Sequence, residues 1–389
     1  MTTQKQDFPI LIIGAGIGGL ATALALQQAG FAVQIFEQAK EIREFGSGLT
    51  LWANAVRVLQ ELGLDDLVQQ LARQPAPTRA GFYTMRGKQL VQLPPQTVEE
   101  QCGGPTIAIH RAEFQAALLE RLAPGTLVLN RKLIDFEQDA AGVTACFVQG
   151  ERVRGSLLIG ADGIHSQVRQ LLFPQSQLRY AGYTAWRGIA TDVTPQLMGE
   201  LWGRGKRFGI VPLSEERIYW FATCNTPENA AERPEGRQKE LLDLFKGWHP
   251  AASTLINATE NSAILRNDIF DLQPLARWSK GRVTLLGDAA HAMTPNMGQG
   301  ACQALEDALI LARTLRHAHS LENALDVYQQ KRLARANMVI VNSHRMGLVA
   351  QWEHPLACWL RDSLLALTPP QMLLKQFKRV ASYTWESSC

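Results

Sequence analysis

The sequence predicts an α/β protein in which a parallel sheet flanked by helices is interleaved with a mixed, mainly antiparallel sheet and followed by a helical C-terminal region. Over residues 10–37 an apolar strand, a glycine-rich turn, an Ala- and Leu-rich helix and a second apolar strand follow one another as one β-α-β unit. Two later apolar strands also end in small residues and an acid, at Gly160 and at Gly287, which returns the chain to the same sheet. Between them, residues 180–224 are rich in aromatic and β-branched side chains, as in an antiparallel sheet with one face open to a cavity.

In chain order, Ile10 to Ile13 is the first strand, Leu20 to Gln28 a helix ending at Gly30, and Phe31 to Phe36 a strand ending in Glu37. A loop from Lys40 to Ser47 leads to a helix over Asn54 to Leu62, whose Val56, Leu59 and Leu62 share one face and which Gly63 terminates. Residues 72–105, with more Pro, Gly and short alternating runs, leave the first layer for a satellite sheet. Arg111 to Leu122 is an amphipathic helix, and strands around Leu127–Leu129, Val143–Val148 and Leu157–Ile159 follow. Strands are then expected over Tyr183–Ile189, Arg207–Val211 and Arg217–Thr223, with Leu213–Glu216 as a hairpin connection and a backing helix near Lys239–Phe245. Val283–Leu286 is a buried strand, Gly287–Gln299 a loop of functional character, and Gly300–Leu315 opens the helical region. The expected partition is thus a first domain over 1–75, 106–177 and 274–346, a second over 76–105 and 178–273, and a helical tail over 347–389.

Composition removes several function classes. A chain of 389 residues that is 46% hydrophobic and only 19% charged can build a large core and is not a disordered polyelectrolyte. Its 39 Lys and Arg against 36 Asp and Glu leave no concentrated cationic field, so nucleic acid is not an expected partner. The cysteines at 102, 146, 224, 302, 358 and 389 form no CxxC pair, and neither HExxH nor another ligand spacing occurs; reduced thiols and no metal are expected. With neither a signal-peptide pattern nor a run of ~18 apolar residues, a soluble cytoplasmic protein is expected.

Three motifs carry chemistry. Gly14-Ala15-Gly16-Ile17-Gly18-Gly19 lies between a strand and a helix: Gly14 permits the tight turn, Gly16 lets backbone approach a pyrophosphate, and Gly19 allows close packing at a helix amino end. Glu37, at the tip of the next strand, is placed to accept ribose hydroxyls, which favours FAD or NAD over a nucleotide with a 2′-phosphate. The second motif is Leu285-Leu286-Gly287-Asp288-Ala289-Ala290-His291, with Pro295 and Gly298-Gln299-Gly300 before a helix. There Asp288 can bond ribityl or ribose hydroxyls, and the amide donors at the helix start can stabilise an anion on a reduced isoalloxazine. The third, Gly160-Ala161-Asp162-Gly163, again closes a strand with small residues and an acid.

Together these stretches resemble the FAD fingerprint, the GD motif and the DG motif of the single-component flavin monooxygenases related to aromatic-ring hydroxylases and zeaxanthin epoxidase. The likeness runs from Ile10 to about Met346 and includes Leu49 to Gly63 and the helix start at His110-Arg111. It implies a Rossmann-like FAD-binding domain with tight, noncovalent FAD. Gly14, Gly16, Gly19 and Glu37 would hold the ADP half, Arg111 would contact the cofactor from its helix, and Asp288 would hold the ribityl-pyrophosphate region. Pro295, Gly298, Gln299 and Gly300 would lie at the ring, while Asp162 with Gly163 would serve both FAD and a transiently bound NAD(P)H. The resemblance further implies that NAD(P)H reduces the flavin and that a flavin C4a-hydroperoxide formed with O2 hydroxylates an aromatic or heteroaromatic small molecule. Epoxidation of an isoprenoid or other electron-rich alkene remains an alternative, as do a flavoprotein reductase or dehydrogenase and a noncatalytic FAD-binding protein.

In the family's urate hydroxylase, an arginine and a tyrosine matching Arg207 and Tyr219 meet the substrate. By that likeness Arg207 would hold an anionic or carbonyl-bearing ring and Tyr219 would orient or deprotonate a hydroxyl; with Pro295, placed at the ring by the wider resemblance, they are the expected catalytic residues. The alternative is that Tyr219 packs the sheet. Little else there matches that enzyme, so urate is not the expected substrate. His291 is either a proton carrier or a residue shaping its loop, His165 a contact to pyridine nucleotide or a surface residue, and Cys302 is expected to be a buried small residue rather than a flavin link. The tail residues Leu356, Trp359, Leu360, Leu364 and Leu367 would close over the sheet, dimerise or form an interfacial helix, in that order of expectation. Firm membrane attachment is not expected, and monomer and homodimer both stay open.

Overall fold

A computed structural model describes residues 8–42, 47–72, 80–194, 197–214 and 216–383. The expected domain boundary at 75/76, part of the Lys40–Ser47 loop, Glu215 of the expected hairpin connection and Cys389 lie outside the described residues.

The N-terminal β-α-β unit is present as the strand Ile10–Ile13, the helix Ile17–Gln28 and the strand Val33–Phe36. All four residues of the first strand are buried, because both faces of the sheet are covered, one by the helix Ile17–Gln28 and the other by the strands Val143–Phe147 and Arg152–Gly155, where the Phe147 ring lies 4.6 Å from Phe36 and Gly155 packs on Leu11. Six strands stand in the order Ser279–Lys280, Val283–Leu285, Leu157–Gly160, Ile10–Ile13, Val33–Phe36, Leu127–Val128, parallel except for the 279–285 hairpin at the edge. Ile13 pairs with Gly160 and Gly160 with Leu285, so three strand ends and the turns that follow them share one edge of the sheet.

The second sheet has seven strands, ordered Leu265–Leu272, Leu178–Thr191, Arg217–Asn225, Lys206–Pro212, Met198–Trp202, Ala80–Thr84, Gln89–Gln92, with only the contact between 198–202 and 80–84 parallel. The excursion after the first helices therefore joins this sheet. Period-2 alternation sorts its faces: Trp186, Phe208, Ile210, Trp220 and Ala222 pack against Leu241, Phe245 and the helix Pro250–Asn257, and on the opposite face Tyr219 meets Gly48 and Arg207 meets Asn296. A smaller ladder, Leu133–Gln138 with Val143–Phe147 and Arg152–Gly155, and the pair Gly48–Leu51 with Ile107–His110 complete the strands described.

Several expected bounds move. The first helix starts at Ile17, within the glycine turn, and the strand expected over Tyr183–Ile189 runs from Leu178 to Thr191 across a bulge near Gly182. Leu133–Gln138, Met198–Trp202 and Leu265–Leu272 were not anticipated; they are edge or half-exposed strands carrying charged residues that dilute the alternation. The loop after Gly287 contains one helical turn, Asp288–His291, and a 3-10 turn, Pro295–Met297. Four helices end the chain, Gly300–His317, Leu321–Ala350, Pro355–Leu367 and Pro370–Ala381. The expectation that the apolar residues of Pro355–Leu367 close over the sheet is not met. Leu356 and Leu367 are 70% and 79% exposed, and the helix instead turns Cys358 and Arg361 inward.

Candidate active site

The glycine turn is shaped by close approach of backbone to backbone. Gly14 sits at φ +106°, and a Cβ there would lie 2.5 Å from Ala161 O. A Cβ on Gly19 would lie 2.0 Å from Gly14 O, so the helix packs against the turn only because residue 19 has no side chain. Gly16 differs, since a Cβ there would meet nothing within 4 Å. That side of the turn is open, at the amino end of a helix whose first N–H groups have no side-chain cap. Glu37 accepts the Ala15 N–H at 2.8 Å and the Ala39 N–H at 2.9 Å, which fixes its carboxylate at the mouth of the turn. Gln115, unremarked in the sequence, donates to Ala15 O at 2.7 Å and braces the turn from the helix that Arg111 begins. Arg111 itself is exposed there.

Asp162 accepts from Ser166 Oγ at 2.5 Å and from the Val168 N–H at 3.1 Å, so both carboxylate oxygens are used on its own chain to begin the helix Gln167–Leu172. Burial pushes its carboxyl above the usual carboxylate range, against the pull of those donors. Gly163 beside it has φ +77° and open space, and His165 is exposed. Asp288 is exposed on the same sheet edge, with Oδ1 3.9 Å from the position of a Cβ on Gly300. The second acid and the amino end of the long helix thus converge, as the motif reading requires. Pro295 and Gly298 are exposed, and Gln299 is buried, accepting from Asn54 and Gln303 at 3.1 Å each. The buried Trp52 Nε1 has no hydrogen-bond partner among the described residues and lies 3.1 Å from where a Cβ of Gly298 would stand. An unpaired buried donor, an open glycine cradle and the exposed Asp288 with the half-buried Glu37 on one sheet edge fit the groups of a dinucleotide bearing an aromatic ring.

Over this edge stands the inner face of the second sheet. Arg207 is only 1% exposed and its guanidinium is fully engaged: Nε donates to Gln351 Oε1 at 3.0 Å, Nη2 to Asn296 Oδ1 at 2.7 Å, and Nη1 approaches Glu200 at 3.4 Å. Asn296 ties the loop after Gly287 to the seven-stranded sheet. It also accepts from Tyr183 OH at 3.3 Å and donates to Thr294 Oγ1 and Ser343 O at 2.9 Å each. It follows Pro295 directly, so Arg207 is tied to the loop that carries that proline. Tyr219 stands on the same face but four residues along the paired strand, since Arg207 pairs with Thr223; at ~3.3 Å per residue the two are roughly 13 Å apart. Its ring covers Gly48, where a Cβ would collide with it, and its hydroxyl faces Arg187 and Ser47. Burial pushes the Tyr219 phenol up, against Arg187, which keeps it a neutral hydroxyl at physiological pH. Phe221 lies between Tyr219 and Arg207, over Gly209, and Val211 and Ile189 are half-buried on the same face. The roof is therefore an aromatic and aliphatic surface with a hydroxyl–guanidinium pair at one end and a second guanidinium held at the other.

His291 is not at this face. It is fully buried behind the loop, with Nε2 2.5 Å from Asp307 Oδ2 and its ring 5.3 Å from Trp278, which gives it the loop-shaping role. Cys302 is buried against Trp52 N, Thr50 O and Gly298 O. Burial pushes its thiol from the ordinary 9.0 up to about 12, so despite its place in the first turn of a helix it is not a thiolate. Iodoacetamide at mildly alkaline pH is expected to leave Cys302 unmodified in the folded protein and to alkylate it in denaturant, as peptide mass analysis would show; labelling of the native protein would contradict this burial. Among the described residues no group of three or more His, Cys, Asp or Glu is placed to hold a metal ion.

The residues that sequence reading missed are Asn296, Gln351, Glu200, Arg187, Phe221, Trp52 and Gln115. Asn296, Arg187 and Phe221 lie inside stretches already singled out, and strand alternation would have put Arg187, Phe221 and Arg207 on one face. Gln351, in contrast, is brought in by the long C-terminal helix from 144 residues away.

Comparison with known proteins agrees with this geometry. Residues 7–343 match the FAD binding domain family. The chain is 39% identical to the aurachin C monooxygenase/isomerase of Stigmatella aurantiaca, over 98% of this chain and 100% of that one. It is 36% identical to the 2-heptyl-3-hydroxy-4(1H)-quinolone synthase of Pseudomonas aeruginosa, over 92% of this chain and 94% of that one. The crystal structure of Klebsiella pneumoniae HpxO complexed with FAD and uric acid superposes with a TM-score of 0.90 at 30% identity, covering 97% of each chain. The strand-end cradle whose residues fit FAD lies in the stretch that this family covers, and the chain belongs to the FAD-dependent monooxygenases of the aromatic-ring hydroxylase and zeaxanthin epoxidase-like superfamily.

Proposed function

We propose that this flavoprotein monooxygenase takes electrons from NAD(P)H and hydroxylates an N-heteroaromatic small molecule of the quinolone type, one carrying a ring carbonyl or hydroxyl and an apolar substituent. The observation that supports this most is the roof of the site. Phe221, Val211 and Ile189 offer an apolar surface for a flat ring, Tyr219 and Arg187 offer a polar end, and Arg207 is held over the Pro295 loop by Asn296. Of the two relatives of highest identity quoted above, one is by its name a monooxygenase/isomerase of aurachin C and the other a synthase of 2-heptyl-3-hydroxy-4(1H)-quinolone, and the similar structure is complexed with uric acid.

Gly14, Gly16, Gly19 and Glu37 hold the ADP half of FAD in this reading, Asp288 its ribityl chain, and Gly298, Gln299 and Gly300 its ring. Bound there, FAD supplies the redox chemistry of reduction and oxygen activation. The N–H groups at the start of Gly300–His317 would hold the flavin ring by its polar edge and would lend it positive partial charge. Asp162, fixed by Ser166 and the Val168 N–H, would hold the neighbouring turn in shape and, with the open backbone at Gly163, would serve both FAD and NAD(P)H with its remaining acceptor sites. Tyr219, neutral, orients a substrate oxygen by donating to it or accepting from it and does not act as a phenolate base. Arg207 supplies positive potential to a substrate carbonyl without leaving its partners, and the apolar roof excludes water from the reacting face.

The test is NAD(P)H consumption in air by FAD-loaded protein across N-heteroaromatics, phenols and isoprenoids, with mass analysis of each product. A quinolone-type compound giving stimulated consumption and one added oxygen atom is expected; oxygen insertion only into an alkene, or none in any compound, would overturn the reading. Arg207→Gln is expected to keep FAD but lower kcat/KM by about tenfold to a hundredfold, the loss of hydrogen bonds to a charged group worth ~1.5–3 kcal/mol. Steady-state kinetics with unchanged flavin absorbance would check it.

A further inference from the structure

The helix Pro355–Leu367 is inverted relative to a helix that packs on a core. Its polar side faces the protein: Arg361 donates to Ala350 O at 3.0 Å and to Gly203 O at 3.1 Å and lies over the Trp202 ring at 5.1 Å. Asp362 is paired with that same arginine at 2.8 Å. Its apolar side faces outward, with Leu356, Trp359, Leu360, Leu364 and Leu367 recurring at three- and four-residue steps, so that they form one stripe. Their exposures are 70%, 68%, 47%, 55% and 79%, where a surface helix of a globular protein would bury that stripe. Trp352, at 37% exposed, extends the stripe at the amino end, and Met372, at 60%, follows it at the other.

We propose that this stripe is a docking surface for an anionic lipid bilayer, on which the helix lies in the plane of the interface. The charge around it decides between occupants. Arg345, Lys375, Lys378 and Arg379 are exposed on the flanking helices; the acids of the same region are Glu353, the already paired Asp362 and, on the helix Pro95–Cys102 packed against Pro370–Ala381, Glu99 and Glu100, so the cations still outnumber the unpaired acids. Symmetric contact with a second copy would set this positive surface against itself, because each residue of an isologous interface meets the same patch on its partner. An anionic headgroup layer complements it, and Trp and Leu are the side chains that an interface between water and acyl chains accommodates. No helix among the described residues is long and apolar enough to cross a membrane, so the contact is peripheral. The proposal stands on this surface alone and not on the substrate assigned above.

Flotation of the FAD-loaded protein with vesicles tests it, using phosphatidylcholine alone and phosphatidylcholine with a minor share of phosphatidylglycerol. Binding to the anionic vesicles that weakens on raising salt is expected. Trp359→Gln with Leu364→Gln is expected to lower the partition coefficient by at least ~tenfold, consistent with loss of buried apolar area at the interface. Lys375→Gln with Lys378→Gln and Arg379→Gln should abolish the preference for anionic lipid. Leu367→Gln alone, at the most exposed end, gives a milder variant whose fold is least at risk, and flavin absorbance and melting temperature should be unchanged in it. Failure of the parent protein to bind anionic vesicles, or binding unaffected by these variants, would overturn the proposal. A homodimer in solution that the Trp359/Leu364 variant dissociates would assign the stripe to a second copy instead.

Discussion

Replacing Arg332 by Met is expected to destabilise the protein by ~3–5 kcal/mol, because removing one member of a buried ion network leaves uncompensated charge. Arg332, Glu306 and Asp307 are all fully buried. Arg332 is paired with Glu306 Oε2, donates to Asp307 Oδ1 at 2.7 Å, and reaches Gln303 Oε1 at 2.8 Å. The network has a purpose beyond its own energy: Asp307 accepts the Gly287 N–H at 3.0 Å, and Glu306 holds Asn54, which holds Gln299. Both the loop beside Asp288 and the amino end of Gly300–His317 therefore rest on it. A urea titration followed by circular dichroism and by flavin fluorescence would show the midpoint falling, with FAD released first. A shift within ~0.5 kcal/mol, as for an ordinary surface substitution, would contradict the ascribed role.

The same network sets an acid limit. Burial pushes the Glu306 carboxyl up, but Arg332 and Arg335 outweigh it; for Asp307, His291 and Arg332 outweigh burial, so both carboxyls lie below their ordinary 4.5 and 3.8. Groups with depressed folded-state pKa values bind more protons when unfolded. Their contribution is complete above the ordinary range and is lost as pH falls through the depressed values.

Gly19→Ala is expected to weaken FAD binding by more than about a hundredfold, a loss near 2.8 kcal/mol at ~1.4 kcal/mol per tenfold. The methyl would stand 2.0 Å from Gly14 O and 3.5 Å from Ala161 Cβ, and the first of these is backbone, which cannot rotate aside. The helix Ile17–Gln28 must retreat, taking its free N–H groups away from the pyrophosphate position. Gly16→Ala serves as the contrast: the space beside it is open, so the protein should fold normally while losing affinity only by encroachment on the cofactor. Flavin content after purification and FAD titration by fluorescence quenching separate the two. Full FAD occupancy in the Gly19 variant would show that the turn is not constrained by this contact.

Local patterns were legible wherever a residue's role is fixed by its neighbours along the chain. The strand-turn-helix at Gly14, the acid ending the next strand and the helix start at Gly300 are short-range geometries, and the structure reproduces them within a few residues. Alternation in Arg217–Asn225 gave the correct strand, because one face is core and the other is not. Leu133–Gln138 was missed since its charged, half-exposed residues carry no strong period. The sequence leaves His291 open between a proton carrier and a loop-shaping residue; it is a core histidine, because one turn of helix after Gly287 rotates it away from the open edge and toward Asp307.

What the sequence by itself determined is the cofactor half of the molecule: phosphate and ribose recognition needs backbone close to a ligand, and the glycines and acids that allow it lie within a few residues of strand ends. What only the tertiary structure decided is the roof and the outer face. Arg207 meets Asn296 and Gln351 across 89 and 144 residues, and whether the tail's leucines face the sheet or the surroundings depends on where Arg361 finds its carbonyl partners. Such contacts are set by the docking of one sheet and two helices, and no local period in the chain encodes it.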